Sequence, residues 1–126
     1  GGACEIASLA KRILIITRHE RRSFPEKVDF VTSPGFLGGR WERERLKLEG
    51  GGPDTVITDL GVLRFDKETG EMILESIHSG VKLEDVKKNT GWDLKISKDL
   101  KITKEPSEEE LFILRQLDLN RIYLGK

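Results

Sequence analysis

Ile13 to Thr17, "ILIIT", is an unbroken run of β-branched residues and one leucine. A run of this kind suits a strand buried on both faces, as in parallel sheets. The nine residues before it, Cys4 to Arg12, read as a short helix, because Ile6, Leu9 and Ala10 fall on one face. Glu5 stands in the first turn, where the positive end of a helix favours an acid. A helix followed at once by a buried strand is the signature of an α/β fold. The run therefore predicts an α/β sheet with Ile13–Thr17 inside it.

The rest of the chain supplies the other elements of such a sheet. "DFVTSP", Asp29 to Pro34, reads as a short strand ended by its proline. Residues 35–52 read as a long loop with glycines at 35, 38, 39, 50, 51 and 52, and "RWERERLKL" inside it has room for one or two helical turns. A loop of this length in a small domain usually serves a site or an interface. Val56 to Asp59 begins a second strand region; "DKETGE" is a turn with Gly70 at a positive-φ position, and "EMILESI" returns as its hairpin partner. With Lys82 as N-cap, Val81 and Val86 have the spacing of a hydrophobic staple and Asp85 falls at the third helical position. Gly91 then stops that helix. Ser107 and Glu110 form a capping box ahead of Leu111, Leu114 and Leu117, which share a face.

Composition narrows the function classes. A chain of 126 residues holds one domain. Lys+Arg and Asp+Glu number 22 each, so no net field draws the chain to nucleic acid or an anionic membrane. Cys4 is the lone cysteine, which excludes an internal disulfide and fits a reducing cytoplasm. With only His19 and His78 beside it, it does not supply the roughly four ligands of structural zinc. No apolar run approaches the ~18 residues of a membrane span, and no signal peptide is visible.

Four stretches, in order and with matching spacing, resemble the B subunit of the family I CoA-transferases, in its glutaconate branch. They are "GGACEIASLAKRILIITRHERRSF", "VDFVTSPGFLGG", "GPDTVITDLGVLRFDKETGEMILESIHSGV" and "KLEDVKKNTGWDL". The resemblance implies an open, Rossmann-like α/β/α sheet and an active site shared between an A and a B subunit, hence a hetero-oligomer. It implies coenzyme A thioesters and carboxylic acids as substrates, with coenzyme A a substrate and not a permanent cofactor. The family's B subunit is about twice this long, and its catalytic glutamate lies upstream of the glycine turn, where nothing here matches. Residues 1–126 are therefore expected to be the C-terminal portion of a single B-subunit domain, with no catalytic residue of its own. Relatives that hydrolyse or decarboxylate coenzyme A thioesters are the alternative reading, as is a non-catalytic scaffold.

The same resemblance places the candidate binding residues. Gly1, Gly2, Ala3 and Cys4 form the glycine turn and helix start, where missing Cβ atoms let backbone N–H groups approach a thioester. Ser33, Pro34 and Gly35, with Phe36 after them, form the loop that the family places near the acyl pocket or the contact between subunits. Cys4 is expected to be a buried, inert thiol. His19 and His78 are expected to be structural, Arg18, Arg21 and Arg22 a solvated basic turn, and Trp41 and Trp92 packing anchors.

Overall fold

A computed structural model describes residues 2–123. Its elements run α1 (Gly2–Leu9), β1 (Ile13–Ile16), α2 (Arg40–Arg45), β2 (Pro53–Ile57), β3 (Gly61–Phe65), β4 (Met72–Ile77), α3 (Leu83–Lys88), β5 (Lys95–Ile102) and α4 (Glu108–Leu117). The five strands form one open sheet in the order β1-β2-β3-β4-β5. The outer pairs β1·β2 and β4·β5 are parallel, and β2·β3 and β3·β4 are antiparallel. The α/β class expected from the sequence is observed. Gly1 lies outside the described residues. Among those residues, no helix is long and apolar enough to cross a membrane.

The core sits over β3 and β4. Leu63 and Leu74 are register partners across these strands, and both are fully buried. Val86 of α3 closes over them with Phe24, Val56, Ile77 and Leu94. Val81 and Val86 both join this cluster, as the staple spacing predicts. Side chains alternate across a strand, so the neighbouring positions leave the core face. There Arg64 reaches Glu75 at 3.2 Å and Asp54 at 2.9 Å, and Asp54 also pairs with Arg12 at 3.1 Å. The hairpin turn is built as expected: Gly70 has φ +78°, and Asp66 Oδ1 accepts from the Glu68 and Thr69 amides.

Other expectations are corrected. β1 is not buried on both faces: Leu14 is 52% and Ile16 80% exposed. The physical reason is its place at the sheet edge, with β2 as its one strand neighbour among the described residues. Residues 29–34 form no strand, and Phe30 and Val31 are exposed. A β-rich composition makes a strand only where a partner accepts its backbone, and among the described residues this segment pairs with no strand of the sheet. β5 has no counterpart among the sequence-based elements; "KISKDLKI" carries a weak alternation, and its pairing to β4 decides it. α4 has its capping box, with Glu110 N donating to Ser107 Oγ at 3.1 Å and Ser107 N to Glu110 Oε2 at 2.8 Å. Yet none of its residues is buried. Gly91 follows α3, but its requirement is a close approach: a Cβ there would stand 2.5 Å from the Glu26 amide nitrogen.

His19 is structural, as expected. It is 4% exposed, stacks on Phe24 at 4.2 Å between ring centroids, and meets Thr58 Oγ1 at 3.2 Å and Thr90 Oγ1 at 2.9 Å. The Thr90 hydroxyl donates to the Val86 carbonyl, so it accepts from His19 Nε2–H. Thr58 Oγ1 accepts from the Leu60 and Gly61 amides and donates to the Gly61 carbonyl at 3.1 Å, so one hydroxyl serves both this turn and the contact with His19 Nδ1. Both ring nitrogens thus face threonine hydroxyls. Burial pushes the His19 pKa down, opposed in part by Asp59. Because the folded pKa lies below the ordinary 6.5, the unfolded chain takes up the proton first as pH falls. His19 thus contributes full stability above about pH 6.5 and loses it below. The urea midpoint of the wild type should fall between pH 7.5 and 5.5 more steeply than that of a His19→Gln variant; parallel slopes would rule this network out as the cause.

Candidate functional site

Two backbone segments far apart in sequence meet beside β1. Ala3, Ile6 and Ala7 of α1 share one lining with Ile13 and Ile15 of β1. The chain returns past the opening with Ser33, Pro34 and Gly35, and Pro53 at the start of β2 completes the wall. Together they line an open cavity of about 400 Å³. Among the described residues, Ser33 supplies the one side-chain hydroxyl of this lining, and no ionisable side chain takes part in it. Such a lining suits an apolar or lightly polar chain. It offers no side-chain acid, base or strong nucleophile to work on one. The first-turn amides of α1 are the remaining polar resource, since they have no intrahelical acceptor.

The expected binding residues are brought together in part. Ala3, Ser33, Pro34 and Gly35 all line this cavity, although about thirty residues separate the two groups. Gly2 and Cys4 flank Ala3 on α1 and are not in the lining. Gly1 is outside the described residues. Gly2 does not need its missing Cβ within this chain, because nothing lies within 4 Å of where one would stand. Cys4 is exposed, not buried, because α1 buries none of its residues. Arg21 donates to the Lys88 carbonyl, Arg22 pairs with Glu20, and His78 Nε2 meets the Thr58 carbonyl at 2.8 Å. Trp92 packs against Phe24 as expected, but Trp41 is 58% exposed, with the Arg45 guanidinium 6.0 Å from its ring centroid.

A larger cavity, about 510 Å³, lies under the 36–51 loop. Arg40, Arg43 and Lys67 share its wall with Glu44 and Glu68, so it carries both signs of charge. Arg40 is already engaged: it donates to the Asp66 carbonyl at 2.7 Å and lies over the Phe36 ring.

Arg43 is the residue that sequence reasoning missed. It is 4% exposed, and its guanidinium donates to four backbone carbonyls: Gly35 at 2.9 Å, Gly50 at 3.0 Å, and Ala7 and Ser8 at 3.2 Å. Gly50 N and Gly51 N add bonds to the Ser8 and Ala10 carbonyls. The loop glycines are needed there, since a Cβ on Gly50 would stand 2.5 Å from the Ser8 oxygen. In "RWERER" nothing sets Arg43 apart from the solvent-facing arginines of any surface helix. The cluster of three glycines at 50–52 marked a close approach but not its partner.

Comparison with known proteins gives this geometry a context. Residues 1–89 match the coenzyme A transferase family. The chain is 42% identical over 118 residues to the B subunit of a 3-oxoadipate CoA-transferase from Pseudomonas knackmussii, a match that covers 94% of this chain and 45% of that protein. It is 45% identical over 103 residues to the B subunit of glutaconate CoA-transferase from Acidaminococcus fermentans, covering 81% of this chain and 38% of that protein. The crystal structure of glutaconate coenzyme A-transferase from the same organism superposes on all of this chain with a TM-score of 0.87 at 37% identity, using 48% of the crystallised chain. This chain thus spans about half the length of the relatives it matches.

Proposed function

This chain belongs to the coenzyme A transferase family, and from that premise we propose that it is part of a B subunit, forming one wall of a site where coenzyme A passes from an acyl-CoA to a carboxylic acid. The observation that carries this reading is the apolar cavity beside α1, whose walls hold a binding surface without any ionisable group. The substrate would be a thioester of a small mono- or dicarboxylic acid, glutaconate being the model suggested by the relatives' names. The reacting carboxylate would come from outside these residues, and an A subunit would close the site in a hetero-oligomer working in the cytoplasm. The apolar side of β1, bare in this chain, is the surface such neighbours would cover.

The chemistry asks definite things of such a wall. A glutamate oxygen adds to the thioester carbonyl carbon, the C–S bond breaks, and the thiolate leaves a mixed anhydride. The thiolate then adds to the glutamyl carbonyl and expels the donor acid, giving a glutamyl thioester. An acceptor carboxylate repeats the two steps in reverse and carries the coenzyme A away. Both anhydride and thioester are open to water, so the wall must keep water out. A carboxylate is a weak nucleophile and needs a held partner. Ala3, Ile6 and Ile15 are suited to packing on the pantetheine arm, Ser33 to a hydrogen bond with its amides, and the first-turn amides of α1 to the developing oxyanion.

This division of labour is testable on the chain alone. Incubated with acetyl-CoA and glutaconate, it should give no glutaconyl-CoA and gain no acyl or coenzyme A mass. Mixed with the A subunit and the remainder of the B subunit, it should support exchange. Turnover by the chain alone, through one of its own carboxylates, would overturn the reading.

A further inference from the structure

We infer that Arg43 is the positioning residue that sets the width of the apolar cavity, by holding its two walls to one guanidinium. One wall is α1, which carries Ala3, Ile6 and Ala7; the other is the Ser33–Gly35 loop. Arg43 reaches the first through the Ala7 and Ser8 carbonyls and the second through the Gly35 carbonyl. It adds the Gly50 carbonyl, so the glycine loop beneath both walls is tied in as well. The inference rests on the reading of this cavity as the thioester site.

Three features make the arrangement a positioning device and not ordinary packing. Each of the four hydrogen bonds ends on backbone, so what they fix is main-chain position and not side-chain identity. The fork geometry of a guanidinium lets Nη1 point to one wall while Nη2 serves the other; an ammonium cannot span both in this way. The tie also lies at the C-terminal end of α1, where carbonyls lack intrahelical donors and a cation complements the helix dipole. Without it, α1 would keep the two amide bonds from Gly50 and Gly51 and little else at that end. Arg43 is not itself part of the cavity lining; it bonds the lining residues Ala7 and Gly35 from behind, so its effect reaches a ligand through the walls. Nor does it belong to the Leu63–Leu74 core.

The test compares wild type with Arg43→Met and Arg43→Lys by amide hydrogen exchange, amide shifts and coenzyme A titration. In Arg43→Met, exchange at Ala10, Gly50 and Gly51 should rise about tenfold or more, the loss expected for at least one charge-assisted hydrogen bond. The Ser33 and Gly35 amides should shift, while amides of the β3–β4 ladder keep their protection. Coenzyme A should bind about tenfold more weakly or worse, and Arg43→Lys should fall between the two. Equal acceleration at every amide, ladder included, would make Arg43 a general stabiliser and overturn the inference, as would walls that do not move. Should Arg43→Met fail to fold, the Arg43→Lys pattern decides alone: a change confined to the walls supports the inference and a uniform change rejects it. Wild-type chain that ignores coenzyme A would defeat the reading of the cavity, while the exchange pattern still decides what Arg43 holds.

Discussion

Leu74→Ala should lower the stability of this chain by about 2–5 kcal/mol, the range for a leucine removed from a fully packed site. Leu74 has no exposed surface and lies in β4 opposite Leu63 of β3, its partner in register. α3 closes the site through Val86, which is equally buried. The three are the largest fully buried side chains among the described residues, so the truncation opens a cavity inside the packed core. Set against the about 5–15 kcal/mol that holds a typical domain together, the loss is a large fraction of the whole. Leu14→Ala is the control. Leu14 is the same residue type, but it sits half-exposed on β1, and its truncation should stay within about 1 kcal/mol. Equal shifts of the urea midpoint for the two variants would mean that the core does not lie where the sheet places it.

Ala3→Trp should abolish coenzyme A binding at concentrations that saturate the wild type, and leave the fold intact. Ala3 stands in the first turn of α1, exposed to solvent on one side and lining the cavity on the other. An indole there meets no packed core, so stability should change by no more than about 0.5 kcal/mol. It would, however, occupy much of a space of about 400 Å³ that is walled by Ile6, Ile15 and Pro34. The matched control is Leu9→Trp, also exposed on α1 but outside the lining. Leu9→Trp should bind as the wild type does. If the two variants bind coenzyme A alike, the ligand uses another surface.

The elements that hold their own local signal were legible in the sequence. The hairpin of β3 and β4 follows from its turn residues, and α4 from its capping box. The Val81–Val86 staple gave the start of α3 without a good cap, and indeed Lys82 makes no side-chain cap bond. Elements defined by a distant partner were not legible. β5 exists because β4 offers it a ladder, and its own residues are mostly lysine, serine and aspartate. The 29–34 segment shows the converse: good strand composition with no ladder to join. β1 has the composition of an internal strand at an edge position, and only the assembled sheet shows that mismatch.

The candidate site divides along the same line. Ser33, Pro34 and Gly35 came from the resemblance and do meet Ala3 in one cavity. Cys4 was misplaced because a helix start carries no information about which side faces out. Arg43 was missed because its partners are carbonyls, which belong to every residue and leave no trace in a sequence. The depth of the Arg43 burial becomes visible only once α1, the Gly35 loop and Gly50 are folded around it.

The most direct test of the account is the footprint of coenzyme A on the isotope-labelled chain, read as nuclear Overhauser contacts between pantetheine protons and protein methyl groups. The account predicts contacts to the methyls of Ala3, Ile6 and Ile15, with the nucleotide end free of that cavity. Pantetheine contacts confined to the charged cavity of Arg40 and Trp41, or no contact anywhere on the folded chain, would contradict it.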